Sequence, residues 1–230
     1  MLSRILMSSA LIAMGLGFSG CGDSDDEMMD ESMPKYEVSV TNLTAGQPMA
    51  PAIVVLHSGD YKMYSVGESA SVALEKLAEG GDNSALLTEA QATTNVDEAV
   101  SVGALLKPGK TLSVTVEGDD DYLTFAGMLV NTNDGFVALN SYHISHLDKG
   151  EVAVLSLSTY DAGTEANSES AVTVPAQGGD GFDATRDDAN GVIRLHAGVV
   201  TQDDGLSSSA LSSINKFDNP TAQLVIKRIQ

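Results

Sequence analysis

The sequence predicts an all-β domain, a sandwich or barrel of antiparallel strands, with a short helical insertion near its start. Short segments of strand character, separated by turn residues, recur between residues 36 and 229, a pattern typical of sandwiches and barrels. Only one region, after the second predicted strand, has helical spacing. The 230-residue chain is long enough to bury one large β core or two small ones.

The first two strands are predicted from their apolar patterns. Tyr36, Val38 and Val40 alternate with polar residues, which indicates a half-buried strand over 36–43. Residues 52–57 (AIVVLH) form a continuous, largely β-branched apolar run, which favours a strand buried on both faces.

The helical insertion follows these strands. Ser69 or Ser71 can cap a first helix, whose apolar positions continue from Val72 to Ala78 until Gly80 and Gly81 end it. A second short helix is predicted to begin at Asp82 or Ser84 and to run to Ala90.

The rest of the chain is predicted to consist of strands and two long loops. The expected strands are 111–117, 122–130, 136–145, 151–160, 191–200 and 221–229. The loops span 161–188 and 201–220, and loops of this length are often functional or mobile.

The N-terminus has the pattern of an export signal. Arg4 precedes an apolar run over 5–18, shorter than the roughly 20 residues that cross a bilayer. Ser19 and Gly20 then precede Cys21, the only cysteine. This resembles the signal of bacterial lipoproteins; an ordinary secretory signal is the alternative. We expect a signal peptide over 1–20, a membrane anchor through lipid on Cys21, and an acidic tether over 21–35 that precedes a domain over 36–230.

Charge and the residue after the anchor narrow the expected location and partners. Removal of residues 1–20 takes away one basic residue and changes the formal charge from −20 to −21. So acidic a chain disfavours nucleic acid as a partner and is compatible with cations or basic proteins. Gly22 follows the cysteine, which by resemblance to Gram-negative lipoproteins favours the outer membrane; the membrane face stays open.

Two segments could supply oxygen ligands for calcium. Asn133, Asp134 and Gly135 are turn formers between two predicted strands. Asp161 and Glu165 lie four residues apart at the end of another strand, with Gly163 between them to permit a sharp bend. Calcium requires six to eight oxygens, which carboxylates and carbonyls of such loops provide. The alternative is a plain turn and a solvated acidic loop.

Together these segments resemble the spondin N-terminal domain family, known from F-spondin, mindin and bacterial lipoproteins. Residues 160–165 (YDAGTE) match the family's Tyr-Asp-Ala-Gly-Thr-Asp element with one change, and 132–135 (TNDG) correspond to its Ser-Pro-Asp-Trp turn. Residues 36–43 and 220–226 are similar to its first and closing strands. Gly135 replaces the family's Trp, and the domain cysteines of the animal members are absent.

The resemblance implies a C2-like antiparallel β-sandwich that binds calcium at one end. Carried over by position, the expected ligands are Asp134, Asp161 and Glu165, with Asn140 as a weaker candidate. It further implies a non-catalytic binding or adhesion module of the cell envelope, whose partner is a protein or glycan.

Other motifs give weaker predictions. An EF-hand in the loop 178–191 fails, because Arg186 and Ala197 occupy its two end ligand positions. His143 and His146 are expected on opposite faces of a strand, not in a zinc pair. The sequence contains no local hydrolase, metalloprotease or Walker motif. Two alternatives remain open: an enzyme or enzyme accessory with a site in 161–190, and a purely structural envelope protein.

Overall fold

The computed structural model describes residues 32–188 and 190–230. The predicted signal peptide, Cys21 and the predicted tether up to residue 31 lie outside the described residues. The strands are β1 Lys35–Asn42, β2 Ala52–His57, β3 Val96–Val102, β4 Thr111–Glu117, β5 Tyr122–Met128, β6 Gly135–His143, β7 Val152–Asp161, β8 Arg194–Leu195 and β9 Ala222–Arg228. The helices are α1 Val72–Gly80 and α2 Ser84–Gln91.

The strands form a nearly closed antiparallel sandwich. Their order is β3-β2-β5-β6-β7-β9-β1-β4, and the short β8 pairs with β7. The two end strands approach each other, since Glu117 N donates to the Glu98 carboxylate and Asp97 Oδ2 accepts from Asp119 N at 2.7 Å. The predicted all-β antiparallel fold is therefore confirmed.

Strand β7 belongs to both halves of the sandwich. Its first part, 152–157, pairs with β9, whereas 158–161 pairs with β6. The ladder between β6 and β7 starts at the Gly135–Asp161 pair and ends at Ala138–Ser158. Consequently the two strands separate beyond Ala138, and the start of β6 lies directly beside the end of β7.

Two apolar cores lie on opposite sides of β2 and β5. The inner core fills the sandwich and includes Phe125, Leu129 and Leu157. The outer core lies against the helices and includes Ile53 and Leu77. Every residue of β2 is buried, because β2 faces both cores. This explains why its apolar run is continuous and does not alternate.

The helices cover the outer core and have well-defined ends. Ser71 caps α1, its hydroxyl accepting from Leu74 N at 3.1 Å. Gly81 adopts the left-handed conformation at the other end, and its N–H donates to Leu77 O at 2.9 Å. Neither helix of the described residues is long and apolar enough to span a membrane.

Most predicted elements are present, with two differences. β3 was not predicted, and in 191–200 only Arg194–Leu195 forms a strand. Ile193 and Val199 of that segment are buried, although both lie in loops and not in a strand. β1 begins at Lys35, one residue before the predicted start.

Candidate functional site

Two segments converge at one end of the sandwich. The turn 132–134 leads into β6, and the loop 162–169 leaves β7. The Gly135–Asp161 pair holds the two side by side, and Ala162 N donates to Asp134 O at 3.1 Å. The two segments predicted to supply calcium ligands are thus adjacent.

Asp134 is fully buried beneath the loop after β7. Its Oδ2 accepts from Thr164 N at 2.8 Å and from Glu165 N at 3.1 Å. Its Oδ1 is buried and has no hydrogen-bond partner among the described residues. Burial and then repulsion from Asp161 raise the pKa of Asp134 to about 7, against the effect of the donated hydrogen bonds.

Asp161 is equally buried but is neutralised by a cation. Its Oδ2 lies 2.9 Å from Arg194 Nη2 and accepts from Asn167 Nδ2 at 2.7 Å. Its Oδ1 accepts from Gly163 N at 2.9 Å. The same guanidinium also contacts Asp188 Oδ2 at 2.6 Å. Asp161 therefore holds Arg194 and the loop turn, and both of its oxygens already have donors.

Gly163 permits the turn that places Glu165. Its φ is +69°, and a Cβ at this position would lie 2.5 Å from the backbone N and O of Val192. Both the left-handed conformation and the close approach require glycine. The predicted sharp bend at Gly163 is present.

Glu165 faces the same interior and is surrounded by other acids. Its Oε2 accepts from Asn133 Nδ2 at 3.4 Å. Burial, repulsion from Glu79 and repulsion from Asp134 raise the pKa of Glu165 to about 8, while the hydrogen bond from Asn133 opposes this. Asn133 is also fully buried and is not an exposed loop tip.

Two further glutamates, not predicted from the sequence, complete the cluster. Glu169 is buried, its Oε1 accepts from Val200 N at 3.2 Å, and its Oε2 has no partner among the described residues. Burial, together with repulsion from Asp134 and Asp161, raises the pKa of Glu169 to about 7. Glu79 lies in α1, its Oε1 is likewise without a partner in the described part of the chain, and burial raises its pKa. We call Glu79, Asp134, Glu165 and Glu169 the carboxylate cluster.

Asn140 is not part of this cluster. It lies five residues into β6, and its Nδ2 donates to Tyr64 O at 2.8 Å. Its Oδ1 accepts only a long contact of 3.5 Å from Thr124 Oγ1. The structure thus brings Asp134, Asp161 and Glu165 together and places Asn140 elsewhere.

The carboxylate cluster matches a hard cation in chemistry but is not a preformed metal cage. Within residues 32–188 and 190–230, no group of three or more His, Cys, Asp or Glu side chains is arranged to hold a metal ion. Three buried carboxylate oxygens nevertheless have no partner in that part of the chain: one each on Glu79, Asp134 and Glu169. Oxygen-only donors of this kind suit calcium.

The loop 178–191 packs on the protein surface through ion pairs. Arg186 Nη2 lies 2.6 Å from Glu75 Oε2, and Asp183 N donates to Glu79 Oε2 at 2.9 Å. Asp188 pairs with Arg194 and accepts from Asn190 N at 2.6 Å. These ion pairs and hydrogen bonds hold the loop against α1 and beside β8.

The histidines are arranged differently from the prediction. β6 ends at His143, and the following turn brings the rings of His143 and His146 to 5.8 Å, nearly parallel. The expectation of opposite faces is wrong because it assumed that the strand continues to 145. His57 is buried and its Nε2 lies 2.8 Å from Thr124 Oγ1.

The comparisons with known proteins agree with this architecture. The Spondin_N family model matches residues 44–178, more than half of the chain. The match contains Asp134, Asp161, Glu165 and both helices, whereas β1 and β9 lie outside it. No curated protein matches the chain. This family is a non-enzymatic, extracellular type of domain, and the chain belongs to it as a spondin N-terminal domain.

Proposed function

We propose that this protein is a lipid-anchored binding or adhesion module of the cell envelope, non-catalytic, whose loops at one end of the sandwich are ordered by calcium. The observation that carries the calcium element is the carboxylate cluster, four buried acids with three unpartnered oxygens among the described residues. The family resemblance supports the binding role.

Charge explains why a cation would matter here. The Arg194 guanidinium, which contacts Asp161, is also paired with Asp188. Burial is the main cause of the raised pKa values of Asp134, Glu165 and Glu169, and repulsion between Asp134 and each of the two glutamates adds to it for the glutamates. A divalent cation would remove this repulsion and hold the loop after β7 against the turn before β6.

The residues best placed to hold calcium are Asp134 and Glu165. Asp134 offers the free Oδ1, and Glu165 lies on the loop that would close over the ion. Asp161 supports them by fixing the turn at Gly163. Glu79 and Glu169 supply the remaining unpartnered oxygens.

Thermal unfolding of the full chain in EDTA, calcium or magnesium tests the calcium element. A ligand that binds only the native state at about 100 times its Kd adds roughly 2.7 kcal/mol. We expect a saturable, calcium-selective rise in Tm that Glu165→Gln abolishes. The control is Asp60→Asn, because Asp60 is exposed and lies outside the carboxylate cluster. Equal Tm values in EDTA and millimolar calcium would contradict this element.

A separate experiment tests the anchor. We expect metabolic labelling with a clickable fatty acid to mark the protein, and Cys21→Ser to remove both the label and its membrane fractionation. Ser24→Ala serves as the matched control in the same segment. The idea is wrong if the Cys21→Ser protein is still labelled and still fractionates with membranes.

A further inference from the structure

A cleft opens where the sandwich divides. β7 leaves β6 after the Ala138–Ser158 pair and continues with β9, while β6 continues with β5. The two strands therefore diverge from a closed corner, and a cavity of about 340 Å³ lies between them. We call this cavity the β6–β7 cleft.

The cleft is lined by two tyrosines and by polar, uncharged side chains; Tyr160 is half-buried, whereas Tyr64 behind it is only 8% exposed. Tyr64 and Tyr160 line it, their ring centres 5.3 Å apart and tilted by 53°. Asn140, Ser156 and Ser158 line it as well. Among the described residues, no Asp, Glu, Lys, Arg or His lines the cleft.

The aromatic walls are held in place from behind. Phe136 packs edge-on against Tyr64, with ring centres 5.4 Å apart, and also contacts Tyr160 at 5.8 Å. Asn140 Nδ2 donates to Tyr64 O at 2.8 Å, which ties the Tyr64 loop to β6. The walls are thus formed before any ligand arrives, which lowers the cost of binding.

Several polar groups of the cleft are free to bind. Asn140 Oδ1 makes only the 3.5 Å contact with Thr124, and the hydroxyls of Ser156 and Ser158 make no hydrogen bond within the described part of the chain. Val66, at the rim, is 60% exposed. A ligand that offers both an apolar face and hydroxyl groups would satisfy this combination.

We propose that the β6–β7 cleft binds one neutral sugar ring, a hexopyranose unit of an envelope or surface glycan. A volume of 340 Å³ lies at the small end of ligand pockets, about 300–1,000 Å³. The C–H face of a pyranose would pack on the half-buried Tyr160 ring, and its hydroxyls would pair with the Asn140 amide and the serine hydroxyls. The absence of lining charges and the net charge of −20 disfavour an anionic ligand.

An extended peptide added to the open edge of β6 fits less well. Ser141 has φ of +52°, and its N–H already donates to Thr124 Oγ1 at 2.9 Å. The pairing of β5 with β6 shifts register at the same level. The edge facing the cleft is therefore irregular where a peptide strand would need consecutive, evenly spaced hydrogen-bonding groups.

This inference rests on the proposed binding function but not on calcium. The test is an NMR titration of the ¹⁵N-labelled full chain with the methyl glycosides of glucose, galactose and mannose, in EDTA and in calcium. We expect saturable shifts at residues 64–66, 138–140 and 156–160 for at least one sugar. The expected Kd is on the order of millimolar for a ligand of about a dozen non-hydrogen atoms.

Two tyrosine substitutions in β7 separate the cleft from the rest of the strand. Ser156→Tyr would fill the cleft and is expected to weaken binding at least tenfold. Val154→Tyr, at an exposed site of β7 that does not line the cleft, should bind as the parent does.

The inference is wrong if no sugar shifts the NMR signals of these residues, or if Ser156→Tyr and Val154→Tyr bind sugar equally well. An extended neutral peptide that shifts them while sugars do not would instead show strand addition. A calcium-dependent Tm without sugar binding refutes only sugar binding in the cleft. Sugar binding without a calcium-dependent Tm refutes only the calcium element.

Discussion

Replacing Asp134 by Asn removes one buried charge while preserving the size of the side chain. In the parent protein Asp134 Oδ2 accepts from Thr164 N and Glu165 N. A carboxamide oxygen can accept the same two bonds. The main effect should therefore be electrostatic, and its sign should depend on pH and on calcium.

The size of the effect on the free energy of unfolding follows from the pKa of Asp134, which is raised from 3.8 to about 7. This difference corresponds to roughly 4 kcal/mol, an order-of-magnitude figure. Because the folded pKa lies above the unfolded one, the stabilisation is fully present below about pH 4 and is lost as the pH rises to 7. Asparagine cannot ionise, so the variant escapes this loss.

Urea unfolding of both proteins at pH 4 to 8 in EDTA, then in saturating calcium, measures the effect. In EDTA we expect the free energy of unfolding of Asp134→Asn to rise relative to the parent by about 4 kcal/mol between pH 4 and 8. In calcium at pH 8 the stability advantage of Asp134→Asn over the parent should shrink, because a neutral carboxamide is a weaker calcium ligand than a carboxylate. Asp60→Asn, an exposed carboxylate, should show neither effect. A difference from the parent that stays constant across this pH range would refute the reasoning.

Three further substitutions test the architecture. Gly163→Ala should lower the free energy of unfolding by more than about 1 kcal/mol in a denaturation assay, since φ is +69° and Val192 backbone atoms lie 2.5 Å from the new Cβ. Gly178→Ala is the control, because Gly178 also has a positive φ but no heavy atom lies within 4 Å of its Cβ. The difference between the two losses of stability measures the cost of the close contact with Val192. Arg194→Ala leaves Asp161 buried without its cation and should cost about 3–5 kcal/mol in the same denaturation assay at pH 7; a loss below about 1 kcal/mol would contradict the ion-pair explanation. Leu77→Ala should cost about 2–5 kcal/mol by calorimetry, since its side chain is fully buried on the inner face of α1. A Tm change below 2 °C would be inconsistent with that packing.

Elements with strong local signals were predictable from the sequence. β2 is continuously apolar because it faces two cores, and α1 has both its serine cap and its glycine stop. β3 was not predicted because its residues are mostly half-buried and include the acidic Asp97 and Glu98, so its apolar pattern is weak. In the fold these two residues approach the end of β4. Its existence depends on pairing with β2, which is distant in the sequence.

The site was predictable only where its residues share a motif. Asp161, Gly163 and Glu165 occur together, so their spacing revealed the turn. Glu79 lies at the end of a helix and Glu169 in a long loop, positions where acidic residues are usually solvated. Glu79 next to two glycines was a weak signal, but only the tertiary fold shows that both glutamates are buried beside Asp134 and Glu165.

The position of β1 has a mechanical consequence. Its ladders with β4 and β9 extend along nearly its full length, and Ile229 N donates to Lys35 O at 2.7 Å where the strand begins. A pull on Lys35 along the axis of β1 would load the hydrogen bonds of both ladders together, so β1 could leave the sheet only if both ladders sheared at once.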